Sequence, residues 1–268
     1  MSAAGEMERF RDEAIVAARL AGDLIVSWAA EGRYQVRDKQ GSEIVTTADL
    51  RSDELIREHL HAAFPGHRFL SEEVDVGGAF DFAGPVWVID PIDGTSNYAH
   101  GHPYVSISVA LAVDGEPCVG VVHAPFLHET YEALQGAGAT CNGRAIQVSG
   151  VSELRRALVG TGFPHHRTDL NRSLDRVRRL LEHCQDIRRA GSPALDICWV
   201  AAGRLDAHCE SLASWDIAAA GLIATEAGAV RGNLSPNASA FPSALNGEEL
   251  LVSTPRIFES LYELLASA

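Results

Sequence analysis

The sequence has little positive charge and no cysteine pattern typical of a metal knuckle or a disulfide framework. Its 22 Lys and Arg residues stand against 36 Asp and Glu residues, which gives a formal charge of -14 at pH 7. A charge of that sign repels nucleic-acid phosphates, so we expect no nucleic-acid partner. The 5 cysteines are odd in number and show no C-x-x-C spacing, which favours reduced core thiols.

Long apolar runs are also missing. The first apolar stretch is interrupted by Arg19 and Asp23, which makes it too polar to span a bilayer. No basic segment followed by a purely apolar run stands near the start, so we see no signal peptide. We therefore expect a cytoplasmic protein without a membrane partner, and its 46% of hydrophobic residues is sufficient for a buried core.

The first half of the chain combines helical and strand-like patterns. Apolar residues recur at helical spacing from about residue 4 to 31, and a second helix is predicted after Asp49. Short apolar runs follow, and Asp114-Gly115 marks the turn of a predicted hairpin. These patterns indicate helices followed by a largely antiparallel sheet over residues 1–150.

After Gly150 the pattern changes to an alternation of strands and helices. The predicted strands are ALVGTGF, DIRRA and LDAHCE, and the predicted helices are NRSLDRVRRLLEH, ALDICWVAAG and WDIAAAGLIATEAG. Such alternation is typical of an α/β unit covered by helices. We therefore expect two α+β halves, residues 1–150 and 151–268, that meet along one cleft.

The stretch WVIDPIDGTSNY is the most informative part of the sequence. Its two carboxylates, Asp90 and Asp93, stand three residues apart at the end of a predicted strand, on a turn that Pro91 stiffens. Carboxylates held so close repel one another unless a proton or a hard cation lies between them. Gly94 allows backbone N–H groups to approach an anion. The stretch therefore favours a site for metal and phosphate.

The spacing of these aspartates argues against two well-known kinds of carboxylate site. A haloacid-dehalogenase-type phosphatase needs aspartates two residues apart. A calcium-binding EF-hand loop needs oxygen ligands at its third and fifth positions, where this chain has Ile92 and Gly94. Both of these sites are excluded, and an ordinary Asx-turn that closes a strand is the plain structural alternative.

WVIDPIDGTSNYAHGHPYVSISVALA, together with SWDIAAAGLIATEAGA, resembles the inositol monophosphatase family over nearly the whole chain. Further matching segments are KQGSEIVTTAD, FLSEE, GATCNG, GSPALD and GRLDAHCE. The resemblance implies a five-layer αβαβα sandwich of the α+β class and hydrolysis of a small phosphate monoester with two or three Mg²⁺ ions per subunit. It also implies a homodimer and inhibition by lithium.

The resemblance also implies roles for individual residues. The implied metal ligands are Glu72, Asp90, the backbone carbonyl of Ile92, Asp93 and Asp216. Asp49 and Thr95 match the pair that polarises the attacking water, and Glu72 is counted with them as catalytic. The implied substrate contacts are Asp93, Gly94, Thr95, Ser96, Pro193 and Glu210.

Some of these residues also have plain structural roles available to them. Asp49 stands where the N-cap of the second helix is predicted. Asp216 lies at a predicted helix start, where an acidic side chain is favourable for the helix dipole. Glu72 alone is typical of a solvated loop acid, and only the resemblance selects it.

One residue departs from the family pattern. Members that cleave inositol phosphates commonly carry alanine where this chain has Pro193, and the backbone N–H at that position contacts the substrate. Proline lacks this donor, and one hydrogen bond contributes ~0.5–1.5 kcal/mol. We expect inositol 1-phosphate or a similar polyol phosphate as substrate. The alternatives are histidinol phosphate, fructose 1,6-bisphosphate, 3′-phosphoadenosine nucleotides and, from another class, a non-catalytic regulatory protein that binds a protein partner.

Overall fold

The structure is a computed structural model, which describes residues 3–39, 44–74, 80–163, 170–235 and 241–266. Residues 40–43 of the segment KQGSEIVTTAD lie outside this part. The α-helices of the described residues are α1 (Ala3–Glu31), α2 (Thr47–Ala63), α3 (Thr95–Ala99), α4 (Leu170–His183), α5 (Pro193–Ala201), α6 (Ser214–Glu226) and α7 (Phe258–Ala266).

The strands form two large sheets and one short ribbon. The ribbon pairs β1 (Val36–Asp38) with β2 (Ile44–Thr46). The first large sheet contains, in spatial order, β3 (Arg68–Ser71), β4 (Pro85–Asp93), β5 (Ser106–Val113), β6 (Glu116–Ala124), β7 (Glu129–Leu134), β8 (Ala139–Cys141) and β9 (Arg144–Ala145). Its pairs are antiparallel except β3 with β4.

The second large sheet is mixed. In spatial order it contains β11 (Asp186–Arg188), β10 (Leu158–Thr161), β12 (Ala207–Glu210), β14 (Leu250–Ser253) and β13 (Val230–Asn233). β10 pairs in parallel with β11 and β12, whereas β14 is antiparallel to β12 and β13. The parallel arrangement of β10 and β12 sets their side chains beside one another at one edge of the site described below.

Three apolar clusters bind the elements into five layers. The first joins α1 and α2 to one face of the first sheet, where Trp87 is fully buried. The second joins the opposite face of that sheet, through Val88, to α5 and α6 and to the inner face of the second sheet. The third covers the outer face of the second sheet with α4 and α7. Because neighbouring residues of a strand face opposite sides, Trp87 and Val88 serve different clusters, and the predicted αβαβα sandwich is confirmed.

Several local predictions are confirmed. The opening helix covers Ala3–Glu31. The predicted hairpin joins β5 and β6, and Asp114 and Gly115 at its turn have φ values of 52° and 83°. Two successive residues with positive φ are the requirement of a type I′ hairpin turn, which accounts for the Asp-Gly pair.

The predicted N-cap of the second helix is wrong by three residues. The N-cap is Thr46, whose hydroxyl accepts hydrogen bonds from the backbone N–H groups of Ala48 and Asp49. Asp49 is the third helical residue, and its carboxylate accepts a hydrogen bond from the backbone N–H of Thr46 at 2.8 Å. This reciprocal capping box uses one oxygen of Asp49, and the second oxygen is directed to the site.

The two sheets divide along the chain near the predicted boundary, but the helices do not separate cleanly. The first sheet uses strands from residues 1–150 and the second uses strands from residues 151–268. α5 and α6 come from the second half and pack against the first sheet. The division into two halves therefore stays a prediction. In the described part of the chain, no helix is both long and apolar enough to cross a membrane.

A glycine on β6 determines how closely α6 approaches the first sheet. A Cβ atom at Gly120 would lie 2.7 Å from the carbonyl oxygen of Ala219 on α6. We expect Gly120→Ala to lower the free energy of unfolding by ~1–3 kcal/mol, because the backbone of the helix must move. Urea unfolding followed by circular dichroism measures this loss.

Gly150→Ala is the matched control for this substitution. A Cβ atom at Gly150 meets no described atom within 4 Å, so its effect on unfolding should stay within ~0.5 kcal/mol. Equal stability of both variants would contradict a close contact between β6 and α6.

Candidate active site

A β-bulge at the end of β4 brings two aspartates to the same side of the strand. Asp90 pairs with Ser108 of β5, whereas Asp93 pairs with Ser106, so three residues of β4 span two residues of β5. Residues three apart on a regular strand face opposite sides, and the extra residue of a bulge reverses that alternation. The backbone N–H of Ile92 donates a 3.0 Å hydrogen bond to Asp90 Oδ1, which stabilises the bulge.

The first turn of α6 supplies a third carboxylate. Asp216 Oδ2 accepts a 2.9 Å hydrogen bond from the backbone N–H of Ala213, which fixes the side chain at the start of the helix. Asp90, Asp93 and Asp216 each offer a carboxylate oxygen, and these oxygens lie within 4.8 Å of one another. Asp216 therefore converges on the same point as Asp90 and Asp93, although it lies more than one hundred residues further along the chain.

The electrostatics of this cluster favour a bound cation. Burial and then the charge of Glu72 and of the other two aspartates raise the pKa of Asp90 well above its ordinary value. Burial followed by the charges of Asp93 and Glu72 likewise raises the pKa of Asp216. Carboxylates so placed take up a proton or share a cation, and an all-oxygen donor set without His or Cys fits a hard divalent ion.

Hydrogen bonds to one oxygen orient Asp93. Its Oδ2 accepts from Ser106 Oγ at 3.1 Å, from Ser192 Oγ at 2.5 Å and from the backbone N–H of Ala194 at 2.9 Å. Oδ1 is thereby left as the natural ligand atom. Neither serine was selected from the sequence, although both lie in segments that carry the resemblance, VSIS and GSPALD.

Glu72 follows β3 and lies on the rim of the cluster. Its carboxylate forms a 3.0 Å ion pair with Lys39 Nζ, which also contacts Glu73 at 2.7 Å. Burial raises the pKa of Glu72, and the charge of Lys39 opposes that rise. Lys39 is a functional candidate that sequence reasoning missed, because nothing local relates it to a carboxylate 33 residues further along the chain.

The structure brings the predicted pair Asp49 and Thr95 into contact. Thr95 Oγ1 lies 2.8 Å from Asp49 Oδ1 and 3.0 Å from the carbonyl oxygen of Ile92. The hydroxyl has one proton, so it donates to one of these two acceptors at a time. Asp49 is fully buried, and burial raises its pKa to about 6 despite the hydrogen bonds from Thr46.

A cavity of about 340 Å³ opens above the carboxylate cluster. It is lined by every predicted site residue except Asp49, which lies behind Thr95. Sequence reasoning did not select the other residues of its wall, which include Phe163, Arg189, Asp196, Leu212 and Trp215. A volume of this size suits a small molecule, for which pockets of ~300–1,000 Å³ are usual.

Gly94 and Pro193 shape the cavity through their backbones. Gly94 has φ 96°, and a Cβ atom there would lie 3.0 Å from the carbonyl oxygen of Gly191. Pro193 is the first residue of α5, a position that tolerates proline because its N–H has no partner within the helix. The next N–H group, that of Ala194, is engaged by Asp93. The start of α5 therefore supports the carboxylate cluster through the backbone N–H of Ala194.

Known proteins of one family are similar to this chain over most of its length. A family model described as "Inositol monophosphatase family" matches residues 6–268. "Inositol monophosphatase 2" of Solanum lycopersicum is 38% identical and covers 88% of this chain and 90% of its own. "Nus factor SuhB" of Pasteurella multocida is 38% identical, with 92% of each chain covered. The solved structure of a Thermotoga maritima IMPase has a TM-score of 0.85 and 33% identity and covers 97% of each chain.

Proposed function

Because the chain belongs to the inositol monophosphatase family, we propose that it is a Mg²⁺-dependent phosphatase of small phosphorylated polyols, with inositol 1-phosphate as the first candidate substrate. The observation that carries the proposal is the convergence of Asp90, Asp93 and Asp216 below a cavity of small-molecule size. Such a cluster attracts an anionic ester only when cations neutralise it, which also reconciles an acidic protein with a phosphate substrate.

Five groups would hold the metal ions. They are the carboxylates of Glu72, Asp90, Asp93 and Asp216 and the backbone carbonyl of Ile92. Bound Mg²⁺ supplies positive charge that offsets the carboxylates and the phosphate oxygens and makes a nearby water more acidic. The family resemblance favours two or three ions per subunit.

Asp49 and Thr95 would orient the attacking water. When the Thr95 hydroxyl donates to Asp49, its lone pairs accept a hydrogen bond from a water in the cavity, and the Ile92 carbonyl is left for a cation. Burial brings the pKa of Asp49 to about 6, close to the neutral range where a general base is most effective. Asp49 is therefore suited to hold the proton that the water passes to Thr95.

The remaining wall of the cavity would bind the ester. The backbone N–H groups of Gly94 and Thr95 and the hydroxyl of Ser96 would donate to the phosphate. Glu210 would offer a carboxylate to substrate hydroxyls. Since Pro193 has no N–H to donate, recognition of the alcohol part relies more on Glu210 than in relatives with alanine there. We extend the proposal to inhibition by lithium, a homodimer and a cytoplasmic location, which the family resemblance supports.

Phosphate release from a panel of esters tests the proposal. The panel contains inositol 1-phosphate, histidinol phosphate, fructose 1,6-bisphosphate and 3′-phosphoadenosine 5′-phosphate, each with Mg²⁺ or with EDTA. We expect the highest kcat/KM with inositol 1-phosphate and no release with EDTA. A preference for the bisphosphate nucleotide would overturn the substrate, and no release from any ester would overturn the function.

A second candidate function is regulation through binding to another protein. It is favoured by relatives named Nus factor SuhB, including one from Pseudomonas aeruginosa that is 39% identical. The intact set of acidic residues argues that such a role would accompany hydrolysis rather than replace it.

A further inference from the structure

β12 carries a histidine that is completely buried beside the cavity. His208 has a relative exposure of 0%, and its side chain lies on the same face of the strand as that of Glu210, two residues later. Gly160 of the neighbouring strand β10 pairs with His208, and Gly162, just after the end of that strand, lies beside Glu210. A Cβ atom at Gly160 would lie 2.9 Å from His208 Nδ1, and one at Gly162 would lie 1.8 Å from Glu210 Oε1. The two glycines therefore leave the space that these side chains occupy.

The imidazole of His208 lies between two carboxylates that line the cavity. Its Nδ1 is 3.4 Å from Asp196 Oδ2, and its Nε2 is 3.5 Å from Glu210 Oε2. Both distances exceed those of a normal N–H···O hydrogen bond, so the attraction is mainly that between opposite charges. Asp196 is held in turn by Tyr104, whose hydroxyl donates to its Oδ1 at 2.7 Å.

The surroundings of the ring favour its charged form. Burial by itself would lower the pKa of His208, but the adjacent carboxylates of Asp196 and Glu210 outweigh it and raise the pKa to about 9. Among the described residues, the charged groups that face the ring are Asp196 from α5 and Glu210 from its own strand. Gly160 of β10 and Val252 of β14 flank it without charge.

We propose that His208 is a positioning residue whose imidazolium holds the Glu210 carboxylate at the cavity wall, where it accepts hydrogen bonds from hydroxyl groups of the substrate's alcohol part. The proposal rests on the proposed phosphatase function, and it explains how the site would select among phosphate esters. Without a cation between them, Asp196 and Glu210 repel one another across the cavity wall, and Glu210 turns toward solvent. Esters rich in hydroxyl groups then lose more of their kcat/KM than esters that have no hydroxyl group.

A double-mutant cycle tests whether His208 acts through Glu210. The measured quantity is the ratio of kcat/KM for inositol 1-phosphate to kcat/KM for phenyl phosphate, which has no hydroxyl group on its ring. We expect His208→Gln, which is similar in volume but uncharged, to lower this ratio about tenfold, which corresponds to ~1.4 kcal/mol. Most of the change should appear in KM for inositol 1-phosphate. In the Glu210→Gln background the same substitution should change the ratio less than about twofold.

Two outcomes of the cycle would overturn the proposal. One is an unchanged ratio in His208→Gln, and the other is the full tenfold loss in the Glu210→Gln background, since His208 would then act independently of Glu210. If the wild-type protein releases phosphate from no ester, the proposed function fails. If it is active and the ratio does not change, only the role of His208 fails.

A measurement on the wild-type protein covers the case in which the variants do not fold. ¹⁵N NMR of the imidazole rings at pH 8 should show a histidine with both ring nitrogens protonated, which is His208. His208→Gln or His208→Phe assigns the signal when either folds. Eleven neutral rings at pH 8 would overturn the proposal irrespective of the variants.

Discussion

Replacing Asp93 with asparagine will abolish phosphate release while the protein stays folded. Asp93 belongs to the cluster of three carboxylates and also lines the cavity. At the proposed metal site, the loss of one carboxylate charge weakens cation binding and removes charge stabilisation from the reaction. The loss of one stabilising group typically costs ~10²–10³-fold in rate. We expect kcat to fall by at least ~10³-fold, because the substitution weakens cation binding as well as charge stabilisation in the reaction.

The fold should survive because asparagine keeps the acceptor that Asp93 uses. Its amide oxygen can replace Oδ2 as the acceptor for Ser106, Ser192 and the backbone N–H of Ala194. The substitution also removes a buried charge that Asp90 and Asp216 repel, so the metal-free variant should unfold at the same temperature as the wild type or higher. Circular dichroism and phosphate release from inositol 1-phosphate measure both effects.

Asp12→Asn is the matched control for this variant. The Asp12 side chain is 62% exposed on α1 and pairs only with Arg11 among the described residues. The activity of Asp12→Asn should stay within about twofold of the wild type. An exposed ion pair contributes only ~0–1 kcal/mol to stability, so its loss leaves the fold intact. More than a tenth of the wild-type activity in folded Asp93→Asn would contradict the assignment of Asp93 as a ligand.

The same variant separates hydrolysis from a regulatory role. A cell that depends on the protein should fail when the folded but inactive Asp93→Asn protein replaces it. Survival of the cellular function would instead favour binding to a partner as the main role.

Mg²⁺ will stabilise the protein, and the stabilisation will grow with pH. In the metal-free protein, burial and mutual repulsion raise the pKa of Asp90 and Asp216 well above their usual value, and burial raises the pKa of Asp93 to about 7. The native state therefore holds protons that the unfolded chain releases above its ordinary carboxyl pKa of ~3.9. The contribution of these carboxyl groups to the stability of the metal-free protein is therefore full below that pKa. It is lost as the pH rises through their native pKa values, which for Asp93 is about 7.

Bound Mg²⁺ reverses this loss because it replaces the protons. A cation at one hundred times its Kd stabilises the native state by ~2.7 kcal/mol, which for a chain of this length raises Tm by roughly 5–10 °C. We expect that rise at pH 8 and less than half of it at pH 5, where protons compete for the same oxygens. Differential scanning fluorimetry with Mg²⁺ or EDTA at the two pH values measures the difference.

Asp93→Asn provides the internal control for the stability experiment. Because the variant loses one ligand charge, its Tm should rise with Mg²⁺ by less than half of the wild-type value at pH 8. An equal rise at both pH values, or an equal rise in the variant, would place the Mg²⁺ effect outside the carboxylate cluster.

Local patterns in the sequence were sufficient to predict much of the fold. Helix α1 follows from apolar spacing over many turns, and the hairpin of β5 and β6 follows from Asp114-Gly115. The strands β13 and β14 and helix α7 were not predicted, because four-residue strands and a nine-residue helix are too short for periodicity to identify. The N-cap of α2 was misplaced because Thr46 and Asp49 both fit a capping box and only the backbone shows which one caps.

The sequence by itself determined the chemistry of the site, namely the residue types around Asp90 and Asp93 and the family to which they point. The tertiary structure decided the contacts that make those residues a site. Asp216 joins the cluster across the molecule, Ser192 orients Asp93 from 99 residues further along the chain, and His208 fits beside Glu210 because β10 has glycine there. The sequence specifies residue types and their local spacing. The distance between carboxylates that are remote along the chain is set only when the layers pack together.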